Sequence, residues 1–198
     1  MEKIYELILY PWVCIALISF IALFKINAPY GKFFNKKFGF SLPYKLGWFI
    51  QEIISPLSLI IFYKLSTNNS SSKIVWFFLL IWILHYIYRS IIFPLRMSRN
   101  VSRIPIAVVL SAVTFNTING FTNGYYLGIT KYNSQYYLEC NFIIGLSLIL
   151  IGFYINFKAD NTLIYLKLKN EGYLIPKGNL YKYISCPNYF GEIIEWLG

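Results

Sequence analysis

A chain of 198 residues that is 57% hydrophobic and only 13% charged carries about half the charged fraction of an ordinary soluble domain, so a water-facing globule of this composition would expose large apolar patches. Lipid as the solvent for much of the surface removes that difficulty. The net charge of +10 comes from 18 Lys and Arg against 8 Asp and Glu, and the basic residues sit between long apolar runs, so it reads as a positive-inside topology signal rather than a nucleic-acid footprint.

The first apolar run, residues 7–24, is uncharged and lacks a small-residue cleavage pattern, so it reads as a retained first span. Residues 25–45 follow with Lys25, Lys32, Lys36, Lys37 and Lys45 and no acid. The second run, 46–63, is apolar except for Gln51 and Glu52. A short connection holding only Lys64 and Lys73 leads to the third, 74–93, which contains His85 and Arg89. Arg96, Arg99 and Arg103 then precede the fourth, 104–129, which is uncharged but rich in Asn, Thr and Gly. In 130–139, Lys131 and Glu139 cancel before the fifth run, 140–157. Residues 158–187 are again basic, with five lysines against Asp160 and Glu171, and a sixth apolar segment begins near Tyr189. Each complete run is near the ~20 residues that a spanning helix needs. The predicted fold is therefore all-α: a polytopic transmembrane helix bundle of five complete spans plus the start of a sixth. Basic excess falls on alternate loops, which places those loops in the cytoplasm and the N-terminus opposite.

Three cysteines, Cys14, Cys140 and Cys186, show no CxxC spacing, and His85 is the single histidine, so no metal site is expected.

Charges inside spans are costly, from about 2.5 kcal/mol upward each, so Glu52 and Arg89 need a reason to be there. Counted from the flanking basic loops, Glu52 and Tyr86 lie at similar depth on neighbouring helices. Tyr86 and His85 share a helical face with Arg89 at spacings of three and four. Two readings stay open. Glu52 pairs with Arg89 and holds the bundle together; or an un-ionised Glu52 donates a hydrogen bond beside Tyr86, and the two donors polarise a carbonyl oxygen in an apolar cavity. His85 reads as a packing residue. Asn116, Asn119 and Asn123 recur at helical spacing beside Gly120 and Gly124, a pattern that small and amide residues make when gluing membrane helices, and Asn116 and Asn123 are read that way. Asn156 and Asp160, four apart, present an amide and a carboxylate at the end of the fifth run, where a solvated helix end is the ordinary explanation.

Residues 172–198 form the most specific stretch. Pro176, Gly178 and Pro187 shape a loop, four tyrosines add hydroxyls, and Asn188, Glu192 and Glu195 enter the next apolar segment. The pattern Gly-Tyr-x-Ile-Pro-x-Gly-x-Leu-Tyr-x-Tyr-Ile-Ser-x-Pro-Asn-Tyr-x-Gly-Glu-Ile-x-Glu-Trp-x-Gly closely resembles the steroid 5α-reductase (3-oxo-5α-steroid 4-dehydrogenase) family. Upstream, Ala28-Pro29-Tyr30-Gly31, Leu46 to Glu52, His85-Tyr86-x-x-Arg89, Asn119-Gly120 with Gly124-Tyr125-Tyr126, and Asn156-x-x-x-Asp160 resemble its other segments, so the likeness covers almost all of 28–198.

The resemblance implies a single membrane-embedded reductase domain over 1–198 that uses NADPH to reduce the carbon–carbon double bond of a 3-oxo-Δ4 steroid. It implies Gln51, Glu52 and Tyr86 as substrate-side groups, with Glu52 and Tyr86 catalytic. Asn119, Asn156, Asp160, Tyr173, Asn188 and Glu192 follow as cofactor-side groups. It further implies the endoplasmic reticulum in a eukaryote or the inner membrane in a bacterium, with lipids and a hydrophobic substrate as partners and no nucleic acid. The family has seven spans, so a chain ending at Gly198 reads as C-terminally incomplete. The rivals are the same chemistry on a polyprenol or an enoyl thioester, a membrane methyltransferase of similar architecture, and a non-catalytic or degenerate bundle.

Overall fold

A computed structural model describes every residue except 27, 28, 30–33, 35–38, 67–71, 98–102, 134 and 170–173. The helices are α1 (Glu2–Leu23), α2 (Tyr44–Leu65), α3 (Lys73–Ile87) continuing through a π-helical turn (Tyr88–Ile92) into α4 (Phe93–Arg96), α5 (Ile106–Ile129), α6 (Cys140–Lys169) and α7 (Pro187–Leu197). Each apolar run becomes a helix because, in lipid, a spanning segment must satisfy its backbone polar groups within itself. Among the described residues, four stretches are long and apolar enough to cross a membrane: Glu2–Leu23, Tyr44–Leu65, Lys73–Arg96 and Cys140–Lys169. Helix α5 has the length, 24 residues, but its Asn and Thr side chains dilute its apolarity. The five complete spans expected from the sequence are thus four by length and apolarity, with α5 the amide-rich exception.

The chain forms two compact units, Met1–Tyr132 and Asn133–Gly198. In the first, α2 and α5 cross closely. A Cβ on Gly120 would run into Ser58 Oγ and Leu59 N, one on Gly124 would lie 2.5 Å from Leu59 O, and one on Gly128 would overlap Ser66 Oγ. Three glycines at a spacing of four thus clear a groove in α5 for the backbone of α2, the small-residue packing that lipid-embedded helices use in place of a hydrophobic drive. Below this crossing, β1 (Ser41–Pro43) and β2 (Arg103–Pro105) pair antiparallel, with Leu42 opposite Ile104, and tie the entry of α2 to the entry of α5. Arg103 secures the pair, donating from Nε to Ser41 Oγ at 2.9 Å and from its guanidinium to the Ser41 carbonyl.

The π turn changes the geometry of the third span. Tyr88, Arg89 and Ser90 are consecutive and all buried, which a regular α-helix packed on one face does not permit. Ser90 Oγ donates to Tyr86 O at 2.6 Å, and Trp48 Nε1 on α2 reaches Arg89 O at 3.0 Å. Arg89 lies within the turn, and its charge still acts on Tyr86, three residues before it. Its guanidinium carbon lies 5.0 Å from the ring centroid of Trp48 and 5.1 Å from that of Phe93.

In the second unit, α6 continues past residue 157, where its apolar run ends, to Lys169. It packs on α7 through Gly152 and Gly191: a Cβ on either would meet the other helix's backbone. The connecting loop turns at Gly178, whose φ of +90° is one that L side chains rarely adopt, and enters a 3-10 turn at Asn179–Lys182. Tyr181 anchors that turn by donating to Ala159 O on α6 at 3.1 Å.

Candidate active site

Tyr86 stands at the centre of a polar cluster in the first unit. It is 4% exposed and packs edge-on to His85 and tilted against Trp82, with centroids at 5.0 and 5.6 Å. Its hydroxyl donates to Asn116 Oδ1 at 3.5 Å. The Ser55 and Asn119 side chains are also in hydrogen-bonding reach of the phenol, and Glu52 and Arg89 are its nearest charges. Asn116 cannot turn away, because its Nδ2 donates to Gln51 O at 2.7 Å, and its own carbonyl accepts from Ser58 Oγ at 3.1 Å. Trp82 Nε1 donates to Ser55 Oγ at 3.2 Å. The cluster therefore bridges α2, α3 and α5 at one level of the bundle.

Gln51 and Glu52 supply its second pole. Gln51 Nε2 donates to Glu52 Oε1 at 3.3 Å. Gln51 is buried, and its Oε1 has no hydrogen-bond partner among the described residues. A buried amide oxygen left open is costly, and a bound group carrying a hydroxyl or N–H would satisfy it. Glu52 is half-buried beside Gln51.

The second unit holds a separate polar group where α6 meets α7. Asn156 and Asp160 are each 2% exposed. Asn156 Nδ2 donates to Glu192 Oε1 at 3.0 Å and to Asn188 O at 3.1 Å. Asn156 and Asp160 are thus buried helix-interface residues, not the solvated helix end that their spacing alone would most simply mean. Glu195, one turn beyond Glu192, is 8% exposed.

Of the residues singled out in the sequence, Gln51, Glu52, Tyr86 and Asn119 fall in the first cluster, and Asn156, Asp160, Asn188 and Glu192 in the second. Tyr173 lies outside the described residues. Asn119, expected on the cofactor side, sits beside Tyr86 and accepts from Asn123 Nδ2 at its Oδ1, at 3.0 Å. Sequence reasoning gave Asn116 to helix packing alone and did not consider Ser55 or Trp82. Asn116 does join α5 to α2, yet it also fixes the Tyr86 hydroxyl. Ser55 carried a signal, because it lies one turn after Gln51 on the same face of α2.

The sequence profile of the 3-oxo-5-alpha-steroid 4-dehydrogenase family matches residues 102–198, which include Asn119 and the whole second cluster. Full-length relatives extend the likeness to the Glu52–Tyr86 region. A protein named steroid 5-alpha-reductase DET2 from Gossypium hirsutum is 34% identical over 191 residues, covering 93% of this chain and 73% of the relative. Its namesake in Arabidopsis thaliana is 34% identical over 181 residues, covering 87% and 69%. The 3-oxo-5-alpha-steroid 4-dehydrogenase 1 of Bos taurus is 32% identical over 190 residues, again covering 93% and 73%. Matches of this extent to plant and mammalian proteins, on a frame of four apolar helices, make the chain an integral membrane protein and a member of the steroid 5-alpha-reductase (3-oxo-5-alpha-steroid 4-dehydrogenase) family.

Proposed function

We propose that the protein is a membrane-bound, NADPH-dependent reductase of the carbon–carbon double bond of a 3-oxo-Δ4 steroid. The observation that carries the reading is the Tyr86 hydroxyl, buried in an apolar bundle and fixed by Asn116, with the Glu52 carboxyl as its neighbour. Family membership supports the oxidoreductase class and the steroid.

When an enone takes up two electrons at its β carbon, negative charge collects on the carbonyl oxygen, and the α carbon is then protonated. Donors already aimed at that oxygen stabilise the transition state more than the ground state. Tyr86 supplies one such donor. Its 3.5 Å bond to Asn116 is long and readily exchanged for a shorter one to a substrate oxygen. Glu52, in its un-ionised form, supplies the second, with Gln51 Nε2 donating to its Oε1 at 3.3 Å. The open Oε1 of Gln51 suits a polar group elsewhere on the ligand. The surrounding aromatic side chains exclude water and so strengthen each of these bonds.

The donor set of the second cluster fits a nicotinamide cofactor. Asn156, Asp160 and Glu192 offer an amide and two carboxylates, groups that match the carboxamide and ribose hydroxyls, and Asn156 and Asp160 are buried from competing water. Tyr173 and Asn188 and, by the family resemblance alone, Asn119 are the other residues proposed to bind the cofactor. NADPH, when bound, supplies the hydride. The proposed location is the endoplasmic reticulum in a eukaryotic host and the inner membrane in a bacterial one.

The test is NADPH oxidation by the full-length protein in detergent or nanodiscs with testosterone or progesterone, with the 5α-reduced product identified. Turnover only with a polyprenol or an enoyl thioester rejects the steroid and keeps the reductase class.

A further inference from the structure

A cleft of about 490 Å³ opens on α6 in the second unit, between that helix and the 3-10 turn at Asn179–Lys182. Its lining from α6 is Tyr154, Ile155, Lys158, Ala159 and Thr162, and Asn156 and Asp160 sit one residue beyond Ile155 and Ala159, roughly 100° further around the helix. Two lysines, Lys158 and Lys182, line it, and none of its lining residues is acidic. Thr162 and Asn179 add neutral donors. Each ammonium group is held over a tyrosine ring: Lys158 Nζ is 5.6 Å from the Tyr154 centroid, and Lys182 Nζ is 5.6 Å from that of Tyr183.

The position along the helix identifies the ligand class. The uncharged part of α6 ends at Phe157, and Lys158 is the first charge after it. The cleft therefore sits where hydrocarbon gives way to headgroups, the level at which tyrosines and snorkelling lysines collect. Towards the apolar end, Leu150, Ile151 and Tyr154 are exposed on α6, at 61%, 52% and 61%, and offer a track for acyl chains. Paired cations with hydroxyl and amide donors recognise a phosphate-type anion, and an apolar track leading away from them recognises the rest of a lipid.

We propose that this cleft is a binding site for the headgroup of an anionic phospholipid, held by Lys158 and Lys182. The site is independent of the reductase reading and serves to fix the loop carrying Tyr181 and Tyr183 against the membrane surface.

The experiment is native mass spectrometry of the full chain released from micelles carrying equal amounts of phosphatidylglycerol and phosphatidylcholine. Two near-surface lysines predict retention of phosphatidylglycerol by roughly 30-fold over phosphatidylcholine in the wild type. K158Q/K182Q should bring the two lipids to near parity, whereas K167Q/K169Q, which removes two exposed lysines further along the same helix, should leave the preference in place. No preference in the wild type overturns the proposal whatever the variants do. Equal loss in both double variants overturns it in favour of diffuse surface charge. Displacement of the lipid by millimolar inorganic phosphate as readily as by phosphatidylglycerol overturns it in favour of a soluble phosphate ligand.

Discussion

Asn116 and Tyr86 meet across the bundle at 3.5 Å, the amide oxygen of one accepting from the phenol of the other, while the amide nitrogen of Asn116 is committed to Gln51 O at 2.7 Å. The second bond decides what the first can do. An amide with its nitrogen pinned must present its oxygen to Tyr86, so the phenol is held as a donor rather than left to rotate.

Substituting the donors separates catalysis from scaffolding. Tyr86→Phe and Glu52→Gln should each lower turnover by roughly 100–1,000-fold, the usual cost of losing one preorganised donor, with NADPH affinity almost unchanged. Should Glu52 instead be a structural partner of Arg89, Glu52→Gln and Arg89→Gln would share a lowered melting temperature and near-normal turnover. Turnover, NADPH affinity and melting temperature in detergent distinguish the two.

Asn116→Ala removes the clamp and leaves the donors in place. A lost buried hydrogen-bonding group costs about 1–3 kcal/mol, so the melting temperature should fall. Turnover should fall as well, but by less than in Tyr86→Phe, because the phenol remains. Steady-state kinetics beside a melting curve checks both; a variant as fast and as stable as wild type would remove Asn116 from the account.

Gly120→Val tests the α2–α5 crossing. A Cβ at Gly120 already overlaps Ser58 Oγ and the Leu59 backbone, and backbone cannot move aside as a side-chain tip can. Overpacking of this kind costs about 1–3 kcal/mol or more, and here it also pushes α5, with Asn116 and Asn119, away from α2. Reduced yield of folded protein, read by size-exclusion chromatography in detergent, is expected; Thr114→Val, at an exposed position of the same helix, is the control for yield.

Glu192→Ala should weaken NADPH binding by on the order of tenfold or more, since it removes the carboxylate that Asn156 engages. Steroid affinity in the same variant, measured by equilibrium binding, should change little.

The alternating basic loops predict opposite exposure for positions 35 and 70. Cysteines introduced there should label from opposite faces of a sealed vesicle with a membrane-impermeant maleimide, and labelling of both from one face rejects the topology.

The spans were legible because apolar runs near 20 residues long have few other uses, and the helix α2 found at Tyr44–Leu65 departs from the expected 46–63 only at its ends. Helix α6 was read short because Lys158, Asp160 and Asn161 stop the apolar count, although nothing in them stops a helix from continuing. The polar residues of the site were legible as anomalies: Glu52 in a span demands a reason. Their partners were not, because helical spacing says which residues share a face but not which residue of another helix lies opposite. That is why the nearness of Asn119 to Tyr86 was not foreseen and why Ser55 was passed over. The π turn was invisible for a similar reason, since 88–92 has no composition that distinguishes it from an ordinary turn.

That π turn makes the third span intolerant of a particular kind of change. Trp48 finds the Arg89 carbonyl only because one extra residue is looped into the helix there. Removing a single residue between Tyr88 and Ile92 would let the helix return to regular winding with its two flanks almost in phase, because one wide turn of five residues and about four α-helical residues rotate the chain through nearly the same angle; the change would fall on the turn itself. Trp48 would lose the Arg89 carbonyl, and Tyr88, Arg89 and Ser90 could no longer all be buried side by side. Evolution can vary the letters in this segment far more freely than it can vary their number.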